Sequence, residues 1–239
     1  MTSFVDSGDG EHIFYLGTDQ HIHQLYFNTG VGHWVDQDLT ITSGAAVNAQ
    51  NQSPLASFVD TPGEHVSYIG TNNHVIQLYW TSSGGWVEQD LSATAENGLT
   101  TLPGSESPLI GFFDSIGEHF YYLARPEGSA YDIMELCFCG SGIWTLQDPT
   151  EHATGGASHQ ALIGSQITGF PASANSAVGD VFYLSIRTTG LEYVDVYDIS
   201  GNSGTGGWQI LDVSSAASAP TTAATVGYTN EALTSFVDY

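Results

Sequence analysis

Three copies of Gly-Glu-His stand in this chain, at Gly10–His12, Gly63–His65 and Gly117–His119. An imidazole can both donate and accept hydrogen bonds, so a His repeated in one context suggests ligand contact. It can equally be a turn residue that opens a strand. His21 and His23 have the spacing of two metal ligands on one strand face, but the matching stretch keeps His74 and puts Ile76 where His23 would be. A position that accepts Ile reads as packed, and no metal is expected there. Asp6-x-Gly-Asp9-Gly-Glu11 has the outline of a calcium loop, yet Asp60-Thr-Pro-Gly63-Glu64 lacks the middle carboxylate, so both read as turns. Cys137 and Cys139 would project from one strand face two residues apart. That is poor geometry for a mutual disulfide, and free buried thiols are expected. Glu135 could form a carboxylate pair with a neighbouring Asp, but nothing in the sequence sets their separation. There is no G-x-S-x-G elbow, no H-E-x-x-H and no phosphate-cradling glycine loop. No catalytic set, metal or cofactor is expected.

The chain has 239 residues, enough for one sizeable core, and its 41% hydrophobic content excludes disorder. Twenty-six acidic residues face two basic ones, a net charge of −24 that repels phosphate backbones and anionic lipid. Nucleic acid and membrane surfaces are thereby excluded as partners, and neutral ligands suit the charge. No apolar run approaches the roughly 20 residues of a membrane helix. The first residues, MTSFVDSGDG, lack the basic and apolar regions of a leader. A cytoplasmic protein, or one released without a classical signal peptide, is expected.

The elements that would position these residues follow from repetition. Phe4, Phe58, Phe112, Phe170 and Phe236 mark five starts spaced 54, 54, 58 and 66 residues apart. The first unit contains TSFVD, EHIFYLGTD, HIHQLYFNT and HWVDQDLT; the second ASFVD, EHVSYIGTN, HVIQLYWTS and GWVEQDLS. The third and the more divergent fourth follow the same plan. Short runs rich in Val, Ile and aromatics, separated by Gly, Asn, Ser and Pro, are strands and turns. Four strands per unit at this period predict an all-β protein, a β-propeller of four four-stranded blades. The blades run over about 1–54, 55–108, 109–166 and 167–232. Both faces of each sheet are expected to be largely buried by neighbours. SFVD at residues 235–238 repeats residues 3–6, and residues 233–239 are expected to close the ring as a C-terminal strand. Seventeen strand copies then serve sixteen places, so one terminal copy is displaced, is an extra strand or pairs with a second molecule.

Blade by blade, the second strand (His12-Ile-Phe-Tyr15), the third (Ile22-His-Gln-Leu-Tyr26) and the Trp opening the fourth (Trp34, Trp86, Trp144, Trp208) resemble the Aleuria-type fucose-specific fungal lectins. The resemblance implies sugar sites between adjacent blades, built from an Arg on the second strand, a Glu on the third and an aromatic ring of the next blade. The Arg position matches His12, His65, His119 and Asp180. The Glu position matches Gln24, Gln77, Glu135 and Asp195. The rings would be Trp86, Trp144, Trp208 and, around the closure, Trp34. No blade keeps the Arg and only the third keeps the Glu, so the fork of donors that would specify fucose is missing. Gln and His still bond hydroxyls and Trp still offers a stacking face, although the tryptophans could equally be fillers between blades.

A non-enzymatic lectin with up to four inter-blade sites for neutral sugars is therefore expected. The alternatives are a pericyclase-like enzyme on the same fold, acting on a small hydrophobic natural-product intermediate, and a structural or protein-binding propeller. A surplus first strand and several weak sites both favour a homodimer.

Overall fold

The computed structural model describes residues 1–6, 10–61, 63–83, 85–104, 106–124, 131–140, 142–154, 160–161, 164–171, 179–186, 194–201 and 207–216. Among the described residues, sixteen strands form four antiparallel four-stranded meanders. The first sheet is β1 (Thr2–Val5), β2 (Glu11–Leu16), β3 (Ile22–Asn28) and β4 (His33–Asp38). The second is β5 (Leu55–Val59), β6 (Glu64–Ile69), β7 (Val75–Thr81) and β8 (Gly85–Asp90). The third is β9 (Leu109–Phe113), β10 (Gly117–Ala124), β11 (Asp132–Cys139) and β12 (Thr145–Gln147). The fourth is β13 (Ile167–Pro171), β14 (Gly179–Ile186), β15 (Val194–Gly201) and β16 (Gln209–Asp212). One-turn helices α1 (Leu39–Ser43), α2 (Leu91–Thr94), α3 (Pro149–His152) and α4 (Val213–Ala216) follow the outer strands.

An Asp at the end of β4 and β8, and immediately after β12, caps the helix that follows. The carboxylates of Asp38, Asp90 and Asp148 accept from the backbone N–H of Ile41, Ala93 and Glu151. The helices brace the third strands in turn. The hydroxyls of Thr40, Ser92 and Thr150 accept from the N–H of Ile22, Val75 and Ile133. His21 and His74 bond the caps, at 2.8 Å from Asp38 and 2.7 Å from Asp90. Their recurrence is thus explained by the cap.

The sheets pack face to face through three apolar layers. Phe14, Ile22, Val66, Tyr68, Leu78 and Trp86 fill the first. Phe58, Val75, Phe120, Tyr122, Leu136 and Trp144 fill the second. Tyr121, Leu123, Ile133, Val181, Tyr183 and Trp208 fill the third. Each such side chain contributes about 1.5–3 kcal/mol on burial, so these layers outweigh the caps, worth about 1 kcal/mol each. The inner strands β1, β5, β9 and β13 lie side by side in chain order, and no comparable packing joins β13 to β1 among the described residues.

Burial follows from this order. Strands β6, β7, β10 and β11 have long fully buried stretches, as expected for sheets covered on both faces. Strand β2 does not: His12 and Phe14 are buried and Glu11 is exposed, because no described sheet covers the other face. Trp34, on that open face, is 42% exposed. The anticipated closing strand, 233–239, lies outside the described residues. Among those described, no helix is long and apolar enough to cross a membrane.

Candidate functional site

The ladder registers put each GEH histidine beside the first strand's Phe: Phe4 opposite His12, Phe58 opposite His65, Phe112 opposite His119. Two residues further along the second strand, Phe14, Ser67 and Tyr121 pair with Gln24, Gln77 and Glu135. His, the Gln or Glu, and the residue between them in space therefore share the face turned to the following sheet. In the fourth sheet the register runs Phe170–Asp180 and Phe182–Asp198. The counterpart of Gln24 is thus Asp198. Asp195, expected at that position, instead pairs with Ser185. The longer hairpin of the fourth unit shifts the alignment.

The histidines are buried, at 7%, 2% and 2% exposure for His12, His65 and His119. Each is held between two carboxylates. Nε2 lies 3.4 Å from Asp6, 3.0 Å from Asp60 and 3.0 Å from Asp114, respectively, the last residue of each SFVD-type motif. On the Nδ1 side, Gln24 Nε2 is 2.9 Å from His12 and donates at 2.7 Å to Glu64 Oε2 of the second sheet. Gln77 repeats this, 3.0 Å from His65 and donating at 2.7 Å to Glu118 Oε2 of the third. The Glu of the second and third GEH thus projects to the opposite face from its His and serves the preceding sheet.

The third sheet has a different solution. Gly179 takes the place of the GEH glutamate in the fourth unit, and the carboxylate comes from within the sheet. Glu135 Oε1 lies 2.8 Å from His119 Nδ1 and accepts from the Tyr121 hydroxyl at 2.6 Å. Burial by itself would lower the pKa of His119, but the hydrogen bonds of Asp114 and Glu135 outweigh it and push the imidazolium up to about 9. The same contest, decided by Glu64 and Asp6, raises His12. Burial raises the Glu118 carboxyl, against the opposing pull of His65 and Gln77.

The residues anticipated for sugar contact are therefore brought together at three interfaces, in a form sequence reasoning missed. Glu64 and Glu118 complete the first two and were not anticipated. Their signal was available: the Glu recurs in three units and is lost in the fourth, while the third strand changes from Gln to Glu135. Trp86 and Trp208 are buried and meet the preceding sheet edge-on, 6.2 Å from Phe14 and 6.5 Å from Tyr121. Trp144 is buried against Phe120 and Phe138 of its own sheet. At the place where Phe14 and Tyr121 would meet that Trp, the second sheet has Ser67. Its hydroxyl is fully buried and has no hydrogen-bond partner among the described residues. Trp34 stands edge-on to Phe27 at 5.8 Å and is not packed against the fourth sheet among the described residues.

Both contacts to Glu64 and to Glu118 fall on Oε2, and among the described residues neither Oε1 has a hydrogen-bond partner. The two side chains keep 19% and 14% exposure. Each of the first two interfaces can thus offer an acceptor oxygen at a partly open mouth beside a buried Trp. Cys137 and Cys139 share one strand face, as expected, and it is the face of His119, but the structure joins them as a disulfide where free thiols were anticipated. Their Cα atoms are 5.3 Å apart, within the usual range for cystine. The sulfurs also contact His119, Cys137 Sγ at 3.6 Å and Cys139 Sγ at 3.9 Å from ring nitrogens.

Four-stranded meanders packed face to face around adjacent inner strands define a β-propeller-type fold, and solved structures share it. AofleA from Arthrobotrys oligospora superposes with a TM-score of 0.59 at 18% identity, over 87% of this chain and 55% of that one. A variant of Aleuria aurantia lectin in complex with Fucalpha1-6GlcNAc gives 0.57 at 16%, over 87% and 61%. The same lectin in complex with alpha-methyl-L-fucoside gives 0.56 at 17%, over 87% and 60%. The chain spans 55 to 61% of the length of these proteins. No family model and no curated protein matches it.

Proposed function

We propose that the protein is a non-enzymatic carbohydrate-binding lectin, with its principal sugar site in the cleft between the second and third sheets. The observation that carries this reading is Ser67. It replaces an aromatic ring at an inter-sheet position and leaves a buried hydroxyl without a partner among the described residues, next to Gln77, on the face where His65, Glu118 and Trp144 converge. A sugar hydroxyl can donate to Glu118 Oε1 at the partly open mouth, and parting of the two sheets there would let the sugar pair with the buried Ser67 hydroxyl and lay a less polar face on Trp144. The fold likeness to proteins crystallised with fucosides supports a glycan ligand. The first cleft has the same Gln–Glu pair but is closed by Phe14, and the third is occupied by Tyr121 and Glu135, so both would bind more weakly. A fourth site would require residues 233–239 to close the ring and bring Trp34 to the fourth sheet. Two or three neutral hydrogen bonds plus stacking give an affinity on the order of millimolar to micromolar.

A glycan array followed by calorimetric titration tests the proposal. Ser67→Phe copies the first sheet and should keep the fold while abolishing the strongest binding; Trp144→Ala should weaken it at least about tenfold. A blank array, or unchanged affinity in Ser67→Phe, would overturn it.

A further inference from the structure

The third sheet departs from the first two at three positions that converge on one imidazole. Where His12 and His65 pair with Tyr26 and Tyr79, His119 pairs with Cys137. Two residues on, Asn28 and Thr81 give way to Cys139, and the third-strand Gln gives way to Glu135. The absence of a following Glu explains the Glu135 exchange. It does not explain two sulfurs on the same face.

We propose that, once reduced, Cys137 and Cys139 join His119 and Glu135 to form a binding site for one thiophilic divalent cation of the zinc class. The donor atoms of His119, Cys137 and Cys139 lie within 4.8 Å of one another. An ion with bonds of about 2.0–2.3 Å can draw such a set together. Cys137 Sγ lies 3.6 Å from His119 Nδ1, Cys139 Sγ lies 4.0 Å from Nδ1 and 3.9 Å from Nε2, and Glu135 Oε1 approaches Nδ1 at 2.8 Å. Two thiolates, an imidazole nitrogen and a carboxylate oxygen make four ligands of the kinds zinc takes. Asp114, 3.0 Å from Nε2, supplies the outer carboxylate that holds a ligating imidazole in its tautomer. Cys137, His119 and Glu135 are buried while Cys139 is partly exposed, so an ion and a reductant both approach from the Cys139 side. In the first two sheets the same location holds a tyrosine and an amide or hydroxyl, which offer no soft donor.

The chemistry balances in two steps. A dithiol reductant delivers two electrons and two protons to the Cys137–Cys139 bond, becoming a disulfide itself and leaving two thiols. The cation then displaces both thiol protons and the Nδ1 proton of the His119 imidazolium to solvent, three in all, while His119 keeps its other proton on Nε2, facing Asp114. The oxidised protein has no thiolate to offer and does not bind.

The test is a cobalt(II) titration of the reduced, desalted full chain under anaerobic conditions. One equivalent should produce sulfur-to-cobalt charge-transfer absorption and the intense visible bands of a four-coordinate ion, and zinc should displace it. Unreduced protein should show neither. Cys139→Ser, at a position that is Asn28 and Thr81 elsewhere and so tolerates a polar side chain, should lose affinity more than about 100-fold, and Glu135→Gln should lose less. Two titratable thiols after reduction without cobalt absorption would overturn the proposal. So would a folded protein that releases no thiols, or absorption that persists in Cys139→Ser. None of these readouts depends on sugar binding.

Discussion

Glu135→Gln converts the third sheet's arrangement to the pattern of the first two but leaves Gly179 where a partner glutamate would have to be. In the wild-type protein His119 is raised from 6.5 to about 9. The folded-state value lies above the unfolded one, so the stabilisation is fully present below about pH 6.5 and is lost as pH rises through about 9. Each unit corresponds to 1.36 kcal/mol, so the protonated His119 is worth about 3 kcal/mol, a large part of a typical 5–15 kcal/mol. With its side chain 2% exposed, little is lost to solvent screening. Asp114 and Glu135 share the effect, so the variant should be less stable than wild type by roughly 1–2 kcal/mol at pH 6. By pH 10 the order should level or invert. The imidazole is then neutral, and in the wild type the buried Glu135 carboxylate has lost the imidazolium beside it. The amide introduced by Glu135→Gln could instead donate to Nδ1, as Gln24 and Gln77 do. Urea denaturation at pH 6 and pH 10, with the disulfide intact and a chelator present, measures both gaps. A gap of equal size at the two pH values would refute the reasoning.

Asp90→Ala removes both the α2 cap and the partner of His74, and should cost about 1–2 kcal/mol in urea denaturation, with Asp90→Asn recovering most of it. Deleting residues 233–239 removes the fifth copy of the first strand. If that copy closes the ring, the melting temperature should fall by on the order of 5–10 °C, and an unchanged value would exclude the closure.

The repeats were legible because each strand carries its own β-branched and aromatic residues between turn formers, and the unit recurs four times. The placement of His12, His65 and His119 at the opening of the second strand and of the third-strand Gln and Glu residues was legible for the same reason. The carboxylate partners were not. Glu64 and Glu118 sit next to the histidines in sequence but on the opposite strand face, so they serve the preceding sheet, a relation that appears only once sheets are stacked. Asp195 was misplaced because hairpin length, unlike strand pattern, has no fixed period. The reading of β2 as covered on both faces assumed a neighbour that the described residues do not supply. The disulfide was missed because strand alternation fixes the shared face of Cys137 and Cys139 but not how closely their sulfurs approach.

The borrowed glutamates give the array a direction. A unit of the first or second kind carries a third-strand Gln that is met by a following GEH, so such units can be duplicated in tandem without conflict. A unit of the third kind carries its own Glu135, and a GEH placed after it would set one carboxylate against another in a buried space. The third repeat therefore ends the run of GEH-bearing units. Inserting a further GEH-bearing repeat is chemically compatible upstream of Leu109 and sets two carboxylates in conflict immediately downstream of Gln147.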